Sequence, residues 1–198
     1  GYVYWTPVVG SGNYEIKVNG GNSFIVADDV KAPIVFTQAG LHTIEVRFAS
    51  KAYTSEWAKL DVMVYSVTFD VRDGVAAGQL LVAADDILTL PTSTRTGYAF
   101  DGWYTTPSAA AGNGKLFDDE TFGAKDNLVL YANWIANKYD IVFDIDEGIT
   151  GVTNGDKTEV TFNQKFTLPV PSSEEGTFLG WFSGPGGSGY QVANAAGQ

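Results

Sequence analysis

Phe100-Asp101-Gly102-Trp103-Tyr104 returns later in the chain as Phe178-Leu179-Gly180-Trp181-Phe182. Two further matches precede it in the same order. Tyr65-Ser66-Val67-Thr68-Phe69-Asp70-Val71 is answered by Tyr139-Asp140-Ile141-Val142-Phe143-Asp144-Ile145, and Leu88-Thr89-Leu90-Pro91 by Phe166-Thr167-Leu168-Pro169. Three matches in one order define an internal repeat. The offset between copies is larger from Trp103 to Trp181 than from Tyr65 to Tyr139, by four positions, so the second copy carries small insertions. The first copy closes on Leu128-Val129-Leu130-Tyr131-Ala132-Asn133-Trp134, well downstream of Trp103. The sequence reaches Gln198 before the matching distance beyond Trp181, so the second copy is expected to lack that strand and to leave a sheet edge unpaired.

Ahead of the repeats the same period-two alternation continues, as half-buried strands require. Tyr14-Glu15-Ile16-Lys17-Val18 alternates. So does Leu41 to Phe48, with His42, Ile44, Val46 and Phe48 on one face. Leu60, Val62 and Val64 extend the pattern. Asn19-Gly20-Gly21, Pro33 and Ala39-Gly40 read as turns. A single short helix is expected near Ser108 to Ala111, limited by Gly112 and Gly114. The joints at Val64-Tyr65 and Ile135-Ala136-Asn137 hold no Pro- or Ser-rich linker, which predicts stiff connections.

Composition removes whole classes of chemistry. The 198 residues include no cysteine and one histidine, His42. Thiolate nucleophiles, disulfides and thiolate metal sites are excluded. A Ser–His–Asp arrangement could be built only on His42, and its phase with Ile44 and Val46 reads as a partly buried structural residue. The net charge of −11 argues against nucleic-acid binding, which needs clustered Lys and Arg. Residues 1–63 carry a net −1, and residues 64–136 and 137–198 carry −5 each. No run approaches the roughly 18 apolar residues of a membrane-spanning helix. The chain begins at Gly1 without a basic-then-apolar leader, and it reads as a segment of a longer polypeptide.

The strand Val67-Thr68-Phe69-Asp70, then Leu90-Pro91, then Gly97-Tyr98-Ala99-Phe100-Asp101-Gly102-Trp103-Tyr104, then Leu130-Tyr131-Ala132-Asn133-Trp134, resembles the Listeria–Bacteroides repeat, the B-repeat of internalin-type bacterial surface proteins. The second copy departs from it, with Gly176 where Tyr98 stands and Leu179 in place of Asp101. The resemblance implies small β-grasp-like modules in tandem on a bacterial surface, without catalytic residues. Residues 1–63 resemble a fibronectin type III domain lacking its first strand. Val3-Tyr4-Trp5-Thr6-Pro7-Val8 and Asn13 to Val18 stand for its second and third strands, and Gly40 to Phe48 for its sixth. The expected fold class is therefore mainly β. An immunoglobulin-like, fibronectin type III-like sandwich over 1–63 precedes two β-grasp-like repeat modules over 64–136 and 137–198, the last without its closing strand.

Trp103 and Trp181 could present flat faces to sugars, but their equivalent positions in both copies favour the module core. Tyr98 and Tyr104 are the candidates for surface contact. The acidic pairs Asp28-Asp29, Asp85-Asp86, Asp118-Asp119 and Glu174-Glu175 read as solvated turn charges. Asp144-x-Asp146-Glu147-Gly148 lacks the full ligand set of a calcium loop. Gly184-Pro185-Gly186-Gly187-Ser188-Gly189 lacks the Lys-Ser/Thr of a phosphate loop and reads as a hairpin tip. No metal, cofactor or catalytic residue is expected. The function expected is a non-enzymatic stalk or spacer of an extracellular bacterial protein, with adhesive contact to a host or environmental glycan or protein. The alternative is an accessory binding module of a large secreted enzyme.

Overall fold

The computed structural model describes residues 1–10, 12–27, 30–84, 86–107, 116–117 and 126–198. The segment 108–111, where a short helix is expected, lies outside the described residues, as do Asp28, Asp29, Asp85, Asp118 and Asp119. The described residues are mainly β, with one three-residue 3-10 turn at Pro185–Gly187. They divide into two compact units, 1–93 with 101–133, and 94–100 with 134–198.

In the first unit, β1 (Tyr2–Tyr4) pairs antiparallel with β4 (Lys31–Pro33). Pro33, which reads as a turn from sequence, closes β4. Proline is tolerated there because this two-stranded ribbon is all edge. Strand β2 (Asn13–Val18) lies between β3 (Phe24–Ala27) and β5 (Gly40–Ala49), both antiparallel to it. Alternation decides which side chains go inside: Tyr14 and Ile16 on β2, and His42, Ile44 and Phe48 on β5. Both sheets feed one core of Val3, Ile16, Ala32, Ile34 and Ile44, with Trp5, Phe36 and Val62 packed around it.

Strand β6 (Ala58–Asp70) is 13 residues long. Ala58 to Val64 pair with β5. Val64 to Thr68 pair antiparallel with β7 (Gln79–Ala83). Val67 to Asp70 pair parallel with β9 (Leu128–Ala136), whose other neighbour is β8 (Tyr98–Tyr104). The Met63–Val64 junction thus falls inside a continuous, hydrogen-bonded strand. Val67, Phe69, Val82, Leu88, Trp103, Leu130 and Ala132 are buried in this part of the chain.

In the second unit, β10 (Lys138–Val142) pairs with β11 (Lys157–Thr161), and β12 (Gly180–Phe182) with β13 (Gln191–Asn194). Phe143, Val152, Leu168 and Ala193 form its core, with Ile141, Ile145, Trp181 and Val192 against them. The Leu168 amide donates to the Gly197 carbonyl at 2.7 Å. The Gly184–Gly189 stretch lies in the β12–β13 connection, as a hairpin tip should.

The two repeats share one hairpin register. Val64↔Ala83 through Thr68↔Gln79 becomes Lys138↔Thr161 through Val142↔Lys157. Between the copies, the second strand of the hairpin is displaced further along the chain than the first, and the difference equals the whole insertion. The inserted residues therefore lie wholly in the loop between β10 and β11. A loop absorbs such an insertion cheaply because closure entropy grows only with the logarithm of length.

Candidate functional site

The repeated Gly-Trp step explains why the motif recurs. Gly102 and Gly180 have φ of 125° and 138°, and a Cβ on either would overlap a neighbour: the Leu116 side chain for Gly102, the Ala193 carbonyl for Gly180. Only glycine fits. The following indole turns inward. Trp103 Nε1 donates to the Pro91 carbonyl at 2.7 Å, and Trp181 Nε1 to the Pro169 carbonyl at 2.8 Å. Phe69 lies 4.6 Å from the Trp103 ring, and Phe143 lies 4.5 Å from Trp181. Trp103 is 2% exposed, so its face is not available to a ligand. Trp181 is only half-buried.

Tyr98 and Tyr104 both belong to β8, but they fall in different compact units and have separate partners. The Tyr98 ring meets Phe162 edge-on at 5.4 Å, and the Arg95 guanidinium sits 4.1 Å over it. Gly97, just before it, has φ 78°, and a Cβ there would overlap the Phe162 ring. Asn137 ties the same region together: its amide donates to the Gly97 carbonyl at 2.9 Å, and its carbonyl accepts from the Phe162 amide at 2.8 Å. Residues 94–100 of the first repeat are therefore built into the second unit.

Tyr104 donates its hydroxyl to the Asp101 carboxylate at 2.8 Å, and the Asn133 side-chain amide donates to the same oxygen at 2.8 Å. The hydrogen bond to Asp101 raises the Tyr104 pKa above its ordinary 10.0, helped by burial and the Asp101 charge. The second repeat replaces both partners at once, with Phe182 for Tyr104 and Leu179 for Asp101.

His42 is structural. The Thr43 amide donates to Asn19 Oδ1, which turns the Asn19 amide nitrogen toward His42 Nδ1 at 2.9 Å. Nδ1 must then accept, so the proton sits on Nε2 and is donated to the Gln38 carbonyl at 2.9 Å. With both ring nitrogens engaged and the residue 7% exposed, His42 has no open position for chemistry. Among the described residues, no group of three or more His, Asp or Glu gathers as a metal site. No helix among them is long and apolar enough to cross a membrane.

Two aromatic features, one exposed and one half-buried, escaped the sequence reading. Tyr2 and Tyr4 are 59% and 67% exposed, with rings 6.4 Å apart and the Lys31 amine 5.4 Å over Tyr2. Their spacing of two on one strand was the available signal. Trp57 is flanked by Lys17 at 3.9 Å and Arg47 at 4.4 Å, and Arg47 is fixed by Glu15 at 2.6 Å. That cluster joins residues distant in sequence, so no local pattern announces it.

The family model described as the Listeria–Bacteroides repeat domain matches residues 65–133 and 139–196. A protein of Listeria monocytogenes named Internalin H is 35% identical over 121 residues, covering 60% of this chain and 20% of that protein. A protein of Evansella cellulosilytica named “Putative membrane protein” is 27% identical over 128 residues, covering 64% of this chain and 18% of that protein. The chain thus spans about a fifth or less of the length of the curated relatives it matches. No solved structure matches it.

Proposed function

Because the chain belongs to the Listeria–Bacteroides repeat domain family, we propose that it is a non-enzymatic modular segment of a bacterial cell-surface or secreted protein, acting as a stalk or spacer. The observation that carries this reading is β6. One strand pairs with β5 in its first half and with β7 and β9 in its second. Bending such a joint means breaking ladder hydrogen bonds, whereas a flexible linker would bend freely. In this reading residues 1–63 are a fibronectin type III-like sandwich, and 64–136 and 137–198 are β-grasp-like modules. The two-sheet core around Ile16 and the shared hairpin register support that division. The acidic repeats keep neighbouring copies soluble and apart. Tyr98 acts at the joint between repeats, and Tyr104 is the candidate for adhesive contact.

The test replaces residues 1–198 in the parent protein. One variant carries unrelated β-modules of equal residue number, another a Gly/Ser linker of equal residue number. Surface display and function should survive the first exchange and fall with the second. Equal performance of the flexible linker would overturn the spacer reading. Loss with both would instead make the segment itself the binding element, and a glycan array would then separate sugar from protein ligands.

A further inference from the structure

Both repeats close their first hairpin on the same backbone bond. The Ala84 amide donates to the Met63 carbonyl at 3.1 Å, and the Phe162 amide donates to the Asn137 carbonyl at 2.8 Å. Each bond lies one step beyond a matching pair, Val64↔Ala83 in the first repeat and Lys138↔Thr161 in the second. What stands ahead of the hairpin differs. Met63 is opposite Leu41 in the β5–β6 ladder, so the first repeat is entered along a strand. Asn137 lies between β9 and β10 and belongs to neither, and its amide donates to the Gly97 carbonyl at 2.9 Å. Gly97 sits in a tight turn in which the Tyr98 amide donates to the Arg95 carbonyl at 3.1 Å. The second repeat is therefore entered against a turn of the first.

The side chain that closes the hairpin changes with this entry. The first repeat has an exposed alanine, Ala84, where the second has Phe162. The Phe162 ring meets Tyr98 edge-on at 5.4 Å, and the missing Cβ of Gly97 lets it lie against the turn. The Arg95 guanidinium lies 4.1 Å over the Tyr98 ring. Phe162 is still 36% exposed with these contacts in place. Without the turn, more of the ring would face water, at a cost that grows with the apolar area uncovered. Alanine offers a single methyl group, too little surface to hold a turn by its side chain.

We infer that Phe162 is the selectivity element of a repeat-docking surface: the residue that closes a repeat's first hairpin decides which kind of module the repeat accepts ahead of it. A large aromatic there takes the Arg-x-Gly-Tyr turn of a preceding repeat. A small residue such as Ala84 leaves the entry to ladder pairing with a strand of an unlike module. The turn supplies the other half of the fit. Gly97 lets the ring approach, Tyr98 covers it, and Arg95 packs over Tyr98. This goes beyond the spacer reading, since it concerns which modules can be joined and not what the joined segment does.

The test is a double-mutant cycle in the full chain, with Tyr98→Ala, with Phe162→Ala, which copies Ala84, and with both. Site-resolved amide exchange reads the Asn137 amide, whose acceptor is the Gly97 carbonyl. Each single replacement should speed its exchange. Together they should fall short of the product of the single effects by a factor of about 2 to 12, the range of an aromatic pair. Exchange at Ile141, inside the β10–β11 ladder, should change less than at Asn137, because the turn undocks before the hairpin opens. Val67 and Leu130, in the other compact unit, serve as the internal reference. Single effects that simply multiply would overturn the inference, as would an Asn137 amide that Phe162→Ala leaves unmoved. Equal acceleration at Ile141 and Asn137 would give Phe162 a role in the hairpin alone, and would overturn it too.

Discussion

Replacing Trp103 by Phe removes an indole N–H held 2.7 Å from the Pro91 carbonyl in a side chain 2% exposed. Removing one partner of a hydrogen bond made by an enclosed side chain destabilises by about 1–3 kcal/mol. The smaller ring also leaves unfilled space beside Phe69; truncating a large aromatic fully to Ala would cost about 3–5 kcal/mol, so the partial loss adds about 1 kcal/mol. The total expected is about 2–4 kcal/mol. Trp181→Phe removes the equivalent bond to Pro169, but water reaches this half-buried ring and can satisfy the carbonyl. Its expected cost is about 1 kcal/mol, toward the low end for a solvent-compensated hydrogen bond. The two indoles lie in different compact units, so site-resolved amide exchange is the suitable assay. Trp103→Phe should speed exchange at Val67 and Leu130 by a factor of about 30 to 1000, and Trp181→Phe should speed it at Leu168 and Ala193 by about tenfold or less. Equal effects, or a larger effect at Trp181, would refute the claim that enclosure rather than motif identity sets the strength of the contact.

Gly97→Ala should loosen the second unit by about 1–3 kcal/mol through its positive φ and its overlap with Phe162, and Phe162→Ala in the same chain should recover the steric part; thermal unfolding of single and double variants checks this. Gly180→Ala should destabilise the β12–β13 hairpin more than Gly155→Ala destabilises its own loop. Both glycines have positive φ, but only at Gly180 does a Cβ meet a backbone oxygen; urea midpoints decide it. In Tyr104 the pKa is raised, so the contribution of its hydrogen bond is fully present below pH 10.0 and is lost as pH rises through the raised value. Asp101→Leu, which copies the second repeat, should lower the Tyr104 midpoint toward 10.0 in an ultraviolet titration. An unchanged midpoint would show that Asp101 is not its cause.

Strand identity was largely local information. The alternation of Tyr14 to Val18 and of Leu41 to Phe48 marks which side chains face a core, because successive residues of a strand point to opposite faces. The repeated Gly-Trp step likewise announced an enclosed indole at Trp103. Short, weakly patterned strands such as β3, β7 and β11 were not legible, since their conformation is held by a neighbour rather than by their own composition.

The candidate site was less legible than the fold. Tyr98 looked like a contact residue, yet its ring is engaged by Phe162, which belongs to the other repeat. Tyr104 and Asn133 converge on the Asp101 carboxylate from distant points of the sequence. Side-chain partnerships at such separations depend on strand register, which no local pattern encodes.

The sequence by itself determined the tandem repeat, the mainly β character, the lack of thiol chemistry and the presence of a short insertion in the second copy. Only the tertiary structure decided where that insertion lies and that β6 runs without a break from the segment ahead of the repeats into the first repeat. The physical reason is range. Periodicity and composition act along the chain, whereas ladder pairing and enclosure depend on which distant segment arrives beside a strand.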